Sequence, residues 1–195
     1  VAFVNKMDRI GADFEKVLIS IEEQLSANPV AIQIPIGAED QFEGVVDLVS
    51  MQEHRFKDEA YGAEYESNNL TDDLIEHAQD WRRQLLEHLS LYDDELLEKI
   101  VEEEEVSQEE VVRVLRKATL SSQITPVLCG SSFKNKGVQQ LLDAVVHYLP
   151  SPLDIPPVEG EHQVTKKLVS RDASVSEPLC ALAFKVASDP FAGQM

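Results

Sequence analysis

The sequence predicts an α/β protein in which a parallel-sheet domain is interrupted by an α+β unit and followed by a β domain. Three observations carry this. Residues 1–4 and 124–130 are short, uniformly apolar runs, each leading into a polar loop and then an amphipathic helical pattern, as strands covered on both faces of a parallel sheet do. Between these two units lies a long stretch of different texture, first alternating and then helical. After residue 149 the prolines Pro150, Pro152, Pro156 and Pro157 punctuate a linker, and residues 179–187 turn strand-like again.

Taken in order, residues 1–4 suit a central parallel strand, and residues 5–11 the loop at its C-terminal edge. Over residues 13–27, Phe14, Val17, Leu18, Ile21 and Leu25 share one helical face while Glu15, Lys16, Glu22 and Glu23 share the other. Asp13 suits the N-cap and Asn28-Pro29 the stop. Val30, Ile32, Ile34 and Ile36 alternate with Ala31, Gln33 and Pro35, which predicts a half-buried strand that its proline confines to an edge. Residues 42–52 predict a second strand, with 54–57 continuing into a third, and the polar run 58–69 predicts a loop.

Thr71 caps a long helix striped by Leu74, Ala78, Trp81, Leu85 and Leu89, with Asp72 and Asp73 where the macrodipole favours them. A second helix covers 94–103, its apolar face formed by Leu96, Leu97, Ile100 and Val101. Ser107 and Glu110 make a capping box that opens a third, on which Val111, Leu115 and Ala118 align. Residues 131–136 then form the second polar loop and 137–149 its helix.

Composition bounds the function. Hydrophobic content of 43% and charged content of 27% belong to a soluble globular chain, and no apolar run reaches the roughly 20 residues that span a bilayer, so a cytoplasmic, monomeric protein without a membrane role is expected. Seventeen basic against 36 acidic residues give a net charge of −19, which repels a phosphate backbone; no direct nucleic-acid binding is expected, and macromolecular partners should be basic proteins. Cys129 and Cys180 show no metal or CxxC spacing and read as reduced, packed thiols, and the five histidines show none either.

The chemistry lies in the two polar loops. A right-handed crossover between parallel strands sets both at the same sheet edge, where open α/β folds bind ligands. The first loop reads Asn5-Lys6-Met7-Asp8 and the second Ser131-Ser132-Phe133. A fixed carboxylate at Asp8 accepts from two adjacent donors at once, and guanine offers such a pair in its N1–H and exocyclic amine while presenting N7 and O6 as acceptors. Asn5 then donates toward N7, the Lys6 stem lies along the nucleotide, backbone amides near Ser131 and Ser132 answer O6, and Phe133 packs beside the base. Adenine would leave Asp8 unpaired, a mismatch worth about 10⁴ to 10⁵ in discrimination.

Asn5-Lys6-Met7-Asp8-Arg9, Gly11-Ala12-Asp13-Phe14, Ala27-Asn28-Pro29, Pro35-Ile36-Gly37-Ala38-Glu39-Asp40, Gly44-Val45-Val46-Asp47-Leu48 and Pro126 to Gln139 together closely resemble the bacterial elongation factor G family of translational GTPases. The resemblance weakens only over 58–69 and 161–176, and departs at Ser132, where the family usually has Ala. It implies the C-terminal part of a P-loop GTPase domain at 1–29 and 121–155, an inserted α+β subdomain at 30–120, and a linker and start of a β-barrel domain at 156–195. It also implies that Asn5, Lys6, Met7, Asp8, Ser131, Ser132 and Phe133 bind the guanine of GTP or GDP. In the whole protein it implies Mg²⁺ and GTP hydrolysis coupled to ribosomal translocation of tRNA and mRNA, and contact of the inserted subdomain with the ribosomal stalk protein.

No GxxxxGK[ST] loop or switch segment is present in the sequence, so the chain reads as an internal piece of a longer GTPase that does not itself hydrolyse GTP. A competing reading is a non-enzymatic acidic interaction module on a GTPase-like scaffold. Its basis is the stretch 93–110, with ten carboxylates against the single Lys99, although such runs are more often a solvated helical face.

Overall fold

The computed structural model describes residues 1–57, 64–162, 164–181, 188, 189, 193 and 194. They fall into two compact units, Val1–Leu149 and Pro150–Met195.

In the first unit, β1 (Ala2–Val4), β2 (Pro29–Ala31) and β7 (Thr125–Cys129) form a parallel sheet in the order β1-β7-β2. The central strand is therefore β7, whose Val127, Leu128 and Cys129 are essentially inaccessible, and not β1 as the sequence suggested. Among the described residues β1 has a neighbour on one side only, and of its residues only Val4 is buried. Helix α1 (Phe14–Leu25) follows β1. The Asp13 carboxylate caps it by accepting the Lys16 N–H at 3.1 Å, and a left-handed Ser26 ends it. Phe14 seals its inner face, whereas Leu25, on the expected apolar stripe, is exposed.

The alternating run 30–36 is two strands rather than one. Its first residues join β7 in parallel, while β3 (Gln33–Ile36) pairs antiparallel with β4 (Gly44–Asp47), which continues to β5 (Gln52–Phe56) and β6 (Tyr65–Asn69). Ile32 is the joint: its N–H donates to Val127 O and its carbonyl accepts from Leu48, both at 3.0 Å, so one residue bonds to each side. Pro35 sits on the edge strand of this second sheet, where a missing donor is tolerated.

The strand predicted over 42–52 is shorter and ends in a turn. Asp47 Oδ1 accepts the N–H groups of Val49 and Ser50 at 2.7 and 3.1 Å, which turns the chain before Met51, at φ 55°, launches β5. Leu48 and Val49 in that turn are buried, and the Arg82 guanidinium satisfies their carbonyls at 2.6 and 3.1 Å. Strand β6 was missed because Tyr65-Glu66-Ser67-Asn68-Asn69 is exposed throughout and has no hydrophobic period to read; residues 58–63, in the same predicted loop, lie outside the described residues.

Three helices follow: α2 (Asp72–Ser90), α3 (Asp94–Val101) and α4 (Gln108–Leu120). Thr71 stands at the N-cap of α2, but its hydroxyl donates to Glu53 at 3.2 Å instead of accepting from the helix. Ala78, Leu85 and Leu89 are its buried stripe, and Trp81 packs against Phe14 in a tilted pair with ring centroids 6.3 Å apart. In α3 only Leu96 is fully buried, with Leu97 and Val101 exposed. The Ser107–Glu110 capping box is formed, and Val111, Val114 and Leu115 are wholly inaccessible, each contributing about 1.5–3 kcal/mol through burial. Helix α5 (Val138–Tyr148) follows β7.

In the second unit, β8 (Val158–Glu161) and β9 (Leu168–Arg171) form a hairpin, and Ser188–Asp189 pairs with Gly193–Gln194. Cys180, expected to be packed, is exposed. The predicted strand over 179–187 has residues 179–181 outside any strand, and its remainder lies outside the described residues. No helix among the described residues is long and apolar enough to cross a membrane.

Candidate functional site

Parallel pairing of Ala2 with Val127 and Val4 with Cys129 brings the ends of β1 and β7 to one edge, so the loops that follow them are neighbours. The ladder continues past the strands. Gly130 N–H donates to Val4 O at 3.0 Å and Met7 N–H to Gly130 O at 3.1 Å. Gly130 is required at this point, because a Cβ would meet Phe3 Cζ at 2.7 Å and collide with the Lys136 carbonyl. The second loop closes on itself through Ser131 and Lys136, which exchange backbone hydrogen bonds at 2.9 Å each way. Gly137, at φ 84°, then turns it into α5.

Asn5 ties the loops together. Its Oδ1 accepts from Ser132 N–H at 2.9 Å, Ser132 Oγ at 3.0 Å and Lys6 N–H at 2.8 Å. With its oxygen occupied, the carboxamide has its Nδ2 donors left for a ligand. Lys6 is held at φ 67°, a left-handed conformation unusual for a residue with a long side chain, and its side chain is exposed. Such local strain persists only where surrounding contacts enforce it, here the Asn5 bond and the turn from Lys6 O to Arg9 N–H at 3.0 Å.

The Asp8 side chain is only 7% accessible. The Ser131 hydroxyl hydrogen-bonds to it and holds its carboxyl below the usual range, helped by Lys134, whose Nζ lies 3.8 Å from Oδ2, and opposed by partial burial. Asp8 is therefore ionised at neutral pH. Ser131 itself is fully buried, so it positions Asp8 and does not face solvent.

The seven residues singled out in the sequence fall into two groups. Asn5, Lys6, Asp8, Ser132 and Phe133 gather around the paired loops; Phe133 is 88% exposed, and Asn5, Lys6 and Ser132 are exposed. Met7 and Ser131 point inward, Met7 at 2% exposure with its carbonyl accepting from Glu39 N–H at 3.0 Å. The amides expected to face O6 are both engaged within the protein, Ser131 N–H with Lys136 O and Ser132 N–H with Asn5 Oδ1. Among the described residues, no acceptor bonds the Phe133 N–H.

Sequence reading missed Lys134 and Lys136. Lys134 supplies charge beside Asp8; Lys136 is buried with its Nζ donating to Phe42 O at 3.1 Å, which fastens the second loop to the segment before β4. A lysine pair flanking Asn135 in a loop opposite a carboxylate was the available signal.

A family model described as the elongation factor Tu GTP binding domain matches residues 1–151. Elongation factor G of Aquifex pyrophilus is 52% identical over all 195 residues, and elongation factor G 2 of Syntrophomonas wolfei subsp. wolfei is 51% identical over the same span; the chain covers 28% of the length of each. Among solved structures, a crystal structure of a protein from Thermus thermophilus superposes with a TM-score of 0.70 at 26% identity, over 98% of this chain and 26% of that one.

Proposed function

The chain belongs to the elongation factor Tu GTP-binding domain family, and we propose that it is the guanine-reading part of an elongation factor that couples GTP hydrolysis to ribosomal translocation of tRNA and mRNA. The observation that carries the reading is Asn5 joined to Ser132 beside an ionised, largely enclosed Asp8. The Asp8 carboxylate accepts guanine N1–H and the exocyclic amine, Asn5 Nδ2 donates to N7, and the Lys6 stem lies along the nucleotide. Guanine O6 faces the turn of residues 131–133, where the Phe133 N–H is available. Burial makes the pair selective, since an enclosed carboxylate without donors is costly.

Residues 1–29 and 121–155 are then GTPase domain, 30–120 an inserted subdomain, and 156–195 the approach to a β-barrel. GTP hydrolysis belongs to the full-length protein. Mg²⁺ is expected there; among the described residues no three His, Cys, Asp or Glu side chains converge to hold a metal. The inserted subdomain is the face offered to the ribosome, through its stalk protein: Glu102, Glu103, Glu104 and Glu105 are exposed, whereas Asp93, Glu95 and Glu110 are held by Arg113, Lys117 and Lys99. A translocation assay with the full-length factor tests the proposal. Asp8→Ala should abolish GTP-dependent movement at ordinary nucleotide concentration; undiminished translocation would overturn it.

A further inference from the structure

A second polar site lies away from the guanine loops, where α5 and β7 meet the antiparallel sheet. It is a cavity of about 110 Å³ whose inner wall carries Gln33 from β3 and Gln140 from α5, with Asp47, Asp143 and Tyr148 also lining it. Gln33 is 2% and Gln140 7% exposed, yet Gln33 Oε1 and both terminal atoms of Gln140 have no hydrogen-bond partner among the described residues. Buried polar atoms are paired in all but a few cases in folded proteins, and two amides left so on facing elements around one cavity point to a ligand between them.

The lining specifies its chemistry. Two unpaired amide carbonyls and two carboxylates, against the single unpaired donor group Gln140 Nε2, make it rich in acceptors. Asp47 spends Oδ1 on the N–H groups of Val49 and Ser50 and leaves Oδ2 4.0 Å from His54 Nε2, itself a lining residue. Asp143 is exposed and stands toward solvent. Arg82, whose charge acts on Asp47 from outside the lining, is occupied by the Leu48, Val49 and Val106 carbonyls, and His54 and His147 line the cavity as well. His54 places its other nitrogen 2.8 Å from Ser67 Oγ. A ligand that donates several hydrogen bonds and carries positive charge satisfies the acceptors, with a water beside it left to accept from Gln140 Nε2; a carboxylate or phosphate satisfies only that one donor. The volume admits a primary ammonium on a short alkyl stem, or about three waters at about 30 Å³ each.

We infer that the cavity bounded by Gln33, Asp47, Gln140 and Asp143 binds the primary ammonium end of a small organic polycation, such as an aliphatic diamine. The two glutamine carbonyls accept from the ammonium at depth, and the carboxylates hold the charge at the mouth. Because the cavity is built jointly by β3 and α5, occupancy ties the antiparallel sheet to the helix that follows the second guanine loop. The inference is independent of the guanine reading.

The test is a titration of the full-length protein with 1,3-diaminopropane, followed by the side-chain amide NMR signals of Gln33 and Gln140 and by thermal midpoint, with tetramethylammonium as a cation that donates no hydrogen bonds. Saturable shifts of both amide signals and a raised midpoint, absent with tetramethylammonium, are expected. In Gln140→Met the stabilisation by diamine should fall at least tenfold in apparent affinity while the variant stays folded, since methionine matches the volume without the polar atoms. Equal responses to the two cations, or shifts that never saturate, would overturn the inference and assign the effect to screening of the acidic surface. An unchanged affinity in Gln140→Met would overturn it as well, and the wild-type comparison decides the matter even if that variant fails to fold.

Discussion

Asn5 Oδ1 accepts the backbone N–H of Ser132 at 2.9 Å, a bond between residues 127 positions apart that makes one site of two loops. Parallel pairing of β1 with β7 makes this possible, because it delivers both loops to the same edge at matched height. The same oxygen fixes which end of the carboxamide faces outward. Position and orientation of the donor for N7 thus come from one contact.

Asn5→Ala removes both the donor and the tie. In the full-length protein it should weaken GDP binding at least tenfold, about 1.4 kcal/mol, with a stability loss of about 1 kcal/mol because the amides it releases are exposed and regain water. Isothermal titration and urea unfolding measure the two. Unchanged affinity would contradict the assigned role.

Asp93 should set part of the acid sensitivity. It caps α3 by accepting the Leu96 N–H at 3.3 Å and bridges to α4 through Arg113 at 2.9 and 3.0 Å and Lys117 at 2.9 Å. The Arg113 guanidinium, then Lys117 and the Leu96 amide, hold its carboxyl down to about 2 against partial desolvation. Its folded value lies below its unfolded one, so the stabilisation is complete above about pH 4 and is lost as pH falls toward 2. Asp93→Asn should cost about 2 kcal/mol at pH 7, a difference that shrinks through that window in urea midpoints taken at successive pH values.

Arg82 offers a test of the turn at Leu48 and Val49. Its guanidinium reaches three carbonyls, those of Leu48, Val49 and Val106, and burial lowers its pKa without discharging it. Arg82→Lys should destabilise by about 2 kcal/mol, because one ammonium cannot span three acceptors set by a planar fork. A urea midpoint equal to that of the wild type would show that water replaces the contacts freely.

Legibility in the sequence followed physical signal. The capping box at Ser107 and the cap at Asp13 were readable because a side chain three residues from its partner leaves a local pattern. The stripe Ala78, Leu85, Leu89 was readable because burial has a helical period. Strand β6 had no such period, being exposed along its length and held by its ladder to β5. The break at Ile32 was hidden for the opposite reason: both strands are buried, so alternation runs through the joint, and only the long-range partners Val127 and Leu48 distinguish the halves. At the site, the loops could be named from their residues, but the inward turn of Met7 and Ser131 and the engagement of Ser132 N–H with Asn5 depend on contacts across the chain.

The most direct test of guanine reading is the ratio of guanine to xanthine nucleotide affinity in the full-length protein carrying Asp8→Asn. Xanthine presents a carbonyl where guanine has its exocyclic amine, so the new amide can donate to it while its oxygen still accepts N1–H, whereas guanine's amine loses its acceptor and meets a second donor. The account predicts that GDP binding falls by at least a hundredfold and that the diphosphate of xanthosine becomes the preferred ligand. An undiminished preference for GDP in this variant would contradict it.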